Sequence, residues 1–97
     1  MNGKDKRFLR GLASEESAVV MIGKSGLTNS VIDSTRAALM ARELIKVKVL
    51  NNAGIDVEST VATLAGMLGA ELVQVIGHNG VIFKKKRKES RFTQITE

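Results

Sequence analysis

Two apolar periodicities alternate along this chain, and each change of period constrains the fold. From Glu43 to Leu50 apolar residues recur at every second position. Ile45, Val47 and Val49 fall on one side of an extended strand, and Leu44, Lys46, Lys48 and Leu50 on the other. Soon after, Val57, Val61, Leu64, Ala65 and Leu68 stand at i, i+4, i+7, i+8 and i+11, the stripe of one helix face. A second apolar strand follows at Leu72 to Ile76. Strand, helix and strand in this order predict a helix that crosses over a sheet by a right-handed path.

The other segments extend the pattern. Residues 4–14 read as a helix with Phe8, Leu9 and Leu12 on its apolar stripe. Ala18 to Ile22 reads as a buried strand that ends in the turn Gly23-Lys24-Ser25-Gly26. Thr28 is placed to cap a helix through about Arg42, with Val31, Ile32, Thr35, Ala38 and Leu39 facing inward. Asp56 caps the third helix, and Gly69 sits where a left-handed residue ends one. Gly77-His78-Asn79-Gly80 is a tight connection to a last strand, Val81 to Phe83. The expected fold class is α/β, a single domain in the order α-β-α-β-α-β-β with a mixed four-stranded sheet. The two crossovers imply parallel pairing, and the last two strands form an antiparallel hairpin. Helices two and three are expected on the face of Ile45, Val47, Val49, Val73 and Val75. Helix one is expected to cover part of the opposite face, which carries Val19 or Met21, Leu44, Leu50, Leu72 and Ile76.

At 97 residues the chain holds one modest core. It has no cysteine, which excludes disulfides, thiolate nucleophiles and cysteine-held zinc. One histidine, His78, does not make a metal cluster and reads as a polar turn residue. Three aromatic residues, all Phe, are too few for a base-stacking platform. No stretch reaches the ~20 apolar residues of a membrane span. The charged start, Met1 to Leu12, lacks the apolar core of a signal peptide. The expectation is a cytoplasmic protein that uses no cofactor, acts on no small-molecule substrate, binds no membrane and is monomeric.

The formal charge of +5 belongs to the two ends. Residues 1–14 carry +3 and residues 84–97 carry +4, against −2 between them. The division expected is a folded unit over 1–85 and a basic, flexible tail over 86–97. A run of five cations, Lys84 to Lys88, resists folding unless something neutralises it, and a polyanion would do so with counterion release.

The Gly23–Gly26 turn carries the most chemistry. A glycine turn that opens a helix exposes backbone N–H groups, and the helix start favours an anion. Lys24 adds a mobile point charge. The turn does not make a nucleotide P-loop: Ala18 stands where that motif needs its first glycine, and no later strand ends in a magnesium-binding aspartate. Glu15 and Glu16 are adjacent and face different ways, and no nucleophile–base pair is apparent. No enzyme chemistry is expected. The alternative to nucleic acid is a protein-interaction module that docks an acidic partner through the basic termini.

Three blocks taken together, Gly23-Lys24-Ser25-Gly26-Leu27-Thr28, Glu43 to Val49 and Val73 to Gly77, resemble the CRM domain. This is the RNA-binding domain of chloroplast RNA splicing and ribosome maturation, here most similar to its stand-alone bacterial YhbY form. The resemblance runs from about Phe8 to Lys84. It implies a fold similar to the C-terminal domain of a translation initiation factor. It also implies RNA binding, with the loop comparable to the G-x-x-G loop of KH domains, and association with precursors of the large ribosomal subunit. The family's loop maps onto Gly23, Lys24, Ser25 and Gly26, and its basic strand onto Lys46 and Lys48. Arg42, His78-Asn79 and Phe83-Lys84 depart from the family's residues, and no proline follows the last strand. Together with the charge pattern, the expected RNA-binding set is Gly23, Lys24, Ser25, Gly26, Thr28, Lys46, Lys48, Arg7, Arg10, Lys84, Lys85 and Lys86.

Overall fold

In a computed structural model of the chain, which describes residues 1–93 and 95, each helix begins at a side-chain cap. Helix α1 (Gly3–Ala13) starts where Asn2 Oδ1 accepts from Asp5 N. Helix α2 (Asn29–Arg42) starts where Thr28 Oγ1 accepts from Val31 N at 3.2 Å. Helix α3 (Val57–Met67) starts where Asp56 accepts from Ser59 N at 2.8 Å. These oxygens satisfy amides that have no partner inside the helix. Past the end of α3, Gly69 takes φ +65°, which glycine adopts without a Cβ clash.

Four strands form one mixed sheet: β1 (Val20–Ile22), β2 (Leu44–Val49), β3 (Glu71–Ile76) and β4 (Asn79–Phe83). The observed order is β1-β2-β4-β3. β1 and β2 pair in parallel, as the crossover through α2 requires. The crossover through α3 does not place β3 beside β2. β4 turns back into the space between them and pairs antiparallel with both. The reason lies in burial. Gly80 to Phe83 are all buried, which suits a strand covered on both faces, whereas Glu71 and Ile76 of β3 are exposed and suit an edge. The hairpin turn is shorter than expected, Gly77-His78 alone, with Gly77 at φ +58°.

The core has two parts. On one face, α2 and α3 pack on Ile22, Ile45, Val47, Val49 and Ile82 through Leu39, Val61 and Leu64. On the other, α1 packs on Leu44, Val73, Val81 and Phe83. Leu72 and Val73 thus exchange the faces expected for them. The register of β3 against β4 shifts between Leu72 and Gln74, a bulge that inserts one residue and re-aims the side chains beyond it. Helix α1 buries Leu9 of the expected stripe together with Ala13, and leaves Phe8 and Leu12 exposed.

The segment after residue 85 corrects the expectation of a loose tail. Phe92 and Ile95 are buried in the second core, and the Phe92 ring meets Phe83 edge-on at 5.0 Å. Glu43, at the C-cap of α2, is fully buried with φ +68°. Its carboxylate accepts from Lys86 N at 2.9 Å, Arg91 N at 2.8 Å and Ser90 Oγ. Burial pushes the Glu43 carboxyl up, but these hydrogen bonds and the Lys86 charge outweigh it and hold its pKa below the ordinary glutamate value. The expected tail also includes Gln94, Thr96 and Glu97, which lie outside the described residues.

Candidate nucleic-acid interface

Parallel pairing puts the C-terminal ends of β1 and β2 at the same end of the sheet, and the Gly23 turn lies there. Gly26 N donates to Gly23 O at 2.9 Å, closing the turn, and Thr28 N donates to Gly26 O at 3.0 Å. Gly26 takes φ +70°, where a side chain would be strained. The amides of Lys24, Ser25 and Asn29 have no acceptor among the described residues. These three residues are exposed, in and just after a closed glycine turn that leads into the first turn of α2. Thr28 is occupied as the helix cap, so its hydroxyl oxygen is turned toward Val31 N.

Lys46 and Lys48 share the face of β2 that carries Leu44. Helix α1 covers that face over Leu44, Val81 and Phe83. Toward the Gly23 turn the face is open: Lys48 pairs with Met21 on β1 and with Asn79 on β4, and Met21 and Ile76 are more than half exposed. Both lysines are half-buried, and no carboxylate lies within 4 Å of their ammonium groups or that of Lys24 among the described residues. Lys24, Lys48 and the free amides therefore share one end of the sheet, and Lys46, two residues back along β2 and opposite Val81, carries the positive charge toward its middle.

The structure does not bring the rest of the expected set to this place. Arg7 and Arg10 are exposed on α1, and Arg7 is about 160° around the helix from buried Leu9, so it points away from the sheet. β4 runs opposite to β2, so Lys84, Lys85 and Lys86 emerge at the far end of the sheet. The five residues of β4 put about 17 Å between the two ends. There Lys84 Nζ donates to Leu68 O at 2.8 Å, and Lys85 Nζ donates to Ile95 O. The residue that sequence reasoning missed is Glu43, which anchors this end. Its only sequence signal is an acid opposite a basic run forty residues on. His78 is exposed in the hairpin turn. Among the described residues no group of three or more His, Asp or Glu could hold a metal ion, and no helix is long and apolar enough to cross a membrane.

Comparison with known proteins bears on the family and the fold. Residues 1–84 match the model of the CRS1/YhbY (CRM) domain. The chain is 36% identical over 91 residues to a protein of Bacillus subtilis (strain 168) named Probable RNA-binding protein YqeI, covering 94% of this chain and 95% of the relative. It is 40% identical over 87 residues to a protein of Haemophilus influenzae named RNA-binding protein, covering 87% and 85% respectively. Among solved structures, the hypothetical protein SAV1595 of Staphylococcus aureus, studied in solution, superposes with a TM-score of 0.79 at 39% identity. The match covers 93% of this chain and 94% of that one.

Proposed function

The chain belongs to the CRS1/YhbY (CRM) domain family, and from that membership we propose that it is an RNA-binding protein that holds RNA by its phosphate backbone. Relatives whose names describe them as RNA-binding, matched over nearly the whole of both chains, support the general reading. The observation that carries the mechanism is the pairing of unengaged amides at Lys24, Ser25 and Asn29 with Lys24 and Lys48 at one end of the sheet, with Lys46 further along the same face of β2. A phosphate set on the turn receives backbone donors at the positive end of α2, and glycine at 23 and 26 keeps side chains out of its path. Lys46 and Lys48 then lie along a neighbouring stretch of backbone on the open sheet face. With no aromatic residue in the turn or on β2, the contact is made to phosphate and shape rather than to stacked bases.

The RNA we assign is a precursor of the large ribosomal subunit, and the role is assembly of that particle. The family resemblance supports this choice. Sedimentation of the tagged protein from a lysate, at low and moderate salt, with the RNA of each fraction identified, tests it. Co-migration with immature large-subunit particles that is lost on raising salt is the expected result. Sedimentation at the top of the gradient at low salt would overturn the assembly role.

A further inference from the structure

At the end of the sheet away from the Gly23 turn, the C-terminal halves of α2 and α3 and the residues after β4 enclose an open groove of about 500 Å³. Its floor is apolar, Leu39 and Leu68, both buried. Its flanks are Met40 and Met67, which are 68% and 55% exposed. Around it stand five cations, Arg36 and the run Lys84 to Arg87. Two acids answer them among the described residues: Asp33 pairs with Arg36 at 2.8 Å, and Glu43 lies near Lys86. The rim keeps a surplus of positive charge, and no carboxylate lies within 4 Å of the Lys86 ammonium or the Arg87 guanidinium among the described residues.

We propose that this groove docks an acidic segment of a protein partner, which inserts an aliphatic side chain between Met40 and Met67 and meets Lys86 and Arg87 with flanking carboxylates. Charge complementarity sets the sign of the occupant. The apolar floor sets its kind. Two exposed thioether chains over a pair of buried leucines offer a deformable, non-directional surface, which suits an aliphatic anchor. A phosphate backbone would find little here: the floor is apolar, and the ammonium groups of Lys84 and Lys85 already donate to the carbonyls of Leu68 and Ile95. Those bonds, with Lys86 N and Arg91 N held on Glu43, fix the rim in place before any partner arrives. A preformed rim spares the ordering cost of binding. The groove is separate from the RNA surface by the length of β4, so a chain seated on RNA through the Gly23 turn still presents it.

The test is selection of a random twelve-residue peptide library, displayed on phage, against the full chain. Selected peptides are then titrated into the folded protein and into two variants, Met40→Gln/Met67→Gln and Lys86→Gln/Arg87→Gln. All four side chains reach the surface, and retained melting temperatures confirm folding. The expected result is enrichment of peptides with carboxylates flanking Leu, Ile or Met. Their binding should weaken at least tenfold in each variant, and they should shift the methyl NMR signals of Met40 and Met67. Absence of that enrichment, or undiminished binding to either variant, overturns the proposal. So does a shift of the same methyl signals by single-stranded RNA that displaces the peptide, which would assign the groove to nucleic acid.

Discussion

Val61 of α3 stands directly over Gly80 of β4, so close that a β-carbon on Gly80 would lie 2.5 Å from Val61 Cγ1 and 2.8 Å from Cγ2. Gly80 has no left-handed φ, so it is needed for room rather than for conformation. Because β4 is central, the approach sets how closely α3 seats on the whole sheet. Gly80→Ala should therefore destabilise the protein by about 1–3 kcal/mol through overpacking. Val61→Ala in the same chain should recover part of that loss. Urea denaturation of the two single variants and the double variant measures the coupling, and simple additivity would show that the contact is not the cause.

Glu43 ties the C-terminal segment to the end of α2. Glu43→Gln replaces one acceptor oxygen with a donor that faces other donors, so it should cost about 2–3 kcal/mol. The pH dependence follows from the lowered carboxyl pKa. A group whose pKa is depressed on folding stabilises fully above its unfolded value, near ~4.3 for glutamate, and the stabilisation is lost as pH falls through the folded value. Hydrogen exchange at the amides of Lys86 and Arg91 should therefore show falling protection below about pH 4.3 in the native chain. In Glu43→Gln that protection should be low already at neutral pH.

Lys24 is exposed and has no carboxylate partner among the described residues, so Lys24→Ala should leave stability within ~0.5 kcal/mol. RNA affinity should fall, and the slope of log K against log salt should flatten by about 0.7–0.9, one phosphate's share. Fluorescence anisotropy with a labelled RNA over a salt series reads both. An unchanged slope would remove Lys24 from the interface.

Phe92 lies edge-on to Phe83 at the end of the second core. Phe92→Ala should cost about 3 kcal/mol, the lower part of the range for truncating a buried phenylalanine. A loose tail would give no change, so the thermal midpoint of this variant separates the two cases.

Local features are legible in the order of the residues. Thr28, Asp56 and Gly69 act through neighbours within a few residues, and each stands where its chemistry predicts. The Gly23–Gly26 turn is equally readable, because a strand that stops at glycine before a helix cap has few other shapes. The stretch from residue 86 onward reads as a basic, flexible tail, and there the reading fails. Its charges hide Phe92 and Ile95 further on, which are too few and too irregular to show a period, and nothing near Glu43 announces that its partners lie at 86–91.

Secondary-structure type, helix starts and the parallel pairing of β1 with β2 are thus decided by the sequence alone, since period, capping and crossover handedness act over short stretches of chain. The place of β4 between β2 and β3, the bulge that turns Val73 to the other face, the use of Gly80 as a seat for Val61, and the separation of Lys24 from Lys84 are decided only in three dimensions. Each depends on which surfaces distant segments bury against one another. Hydrophobic burial rewards area without regard to sequence separation, so a local pattern marks which residues go inside and leaves open which neighbours they meet there.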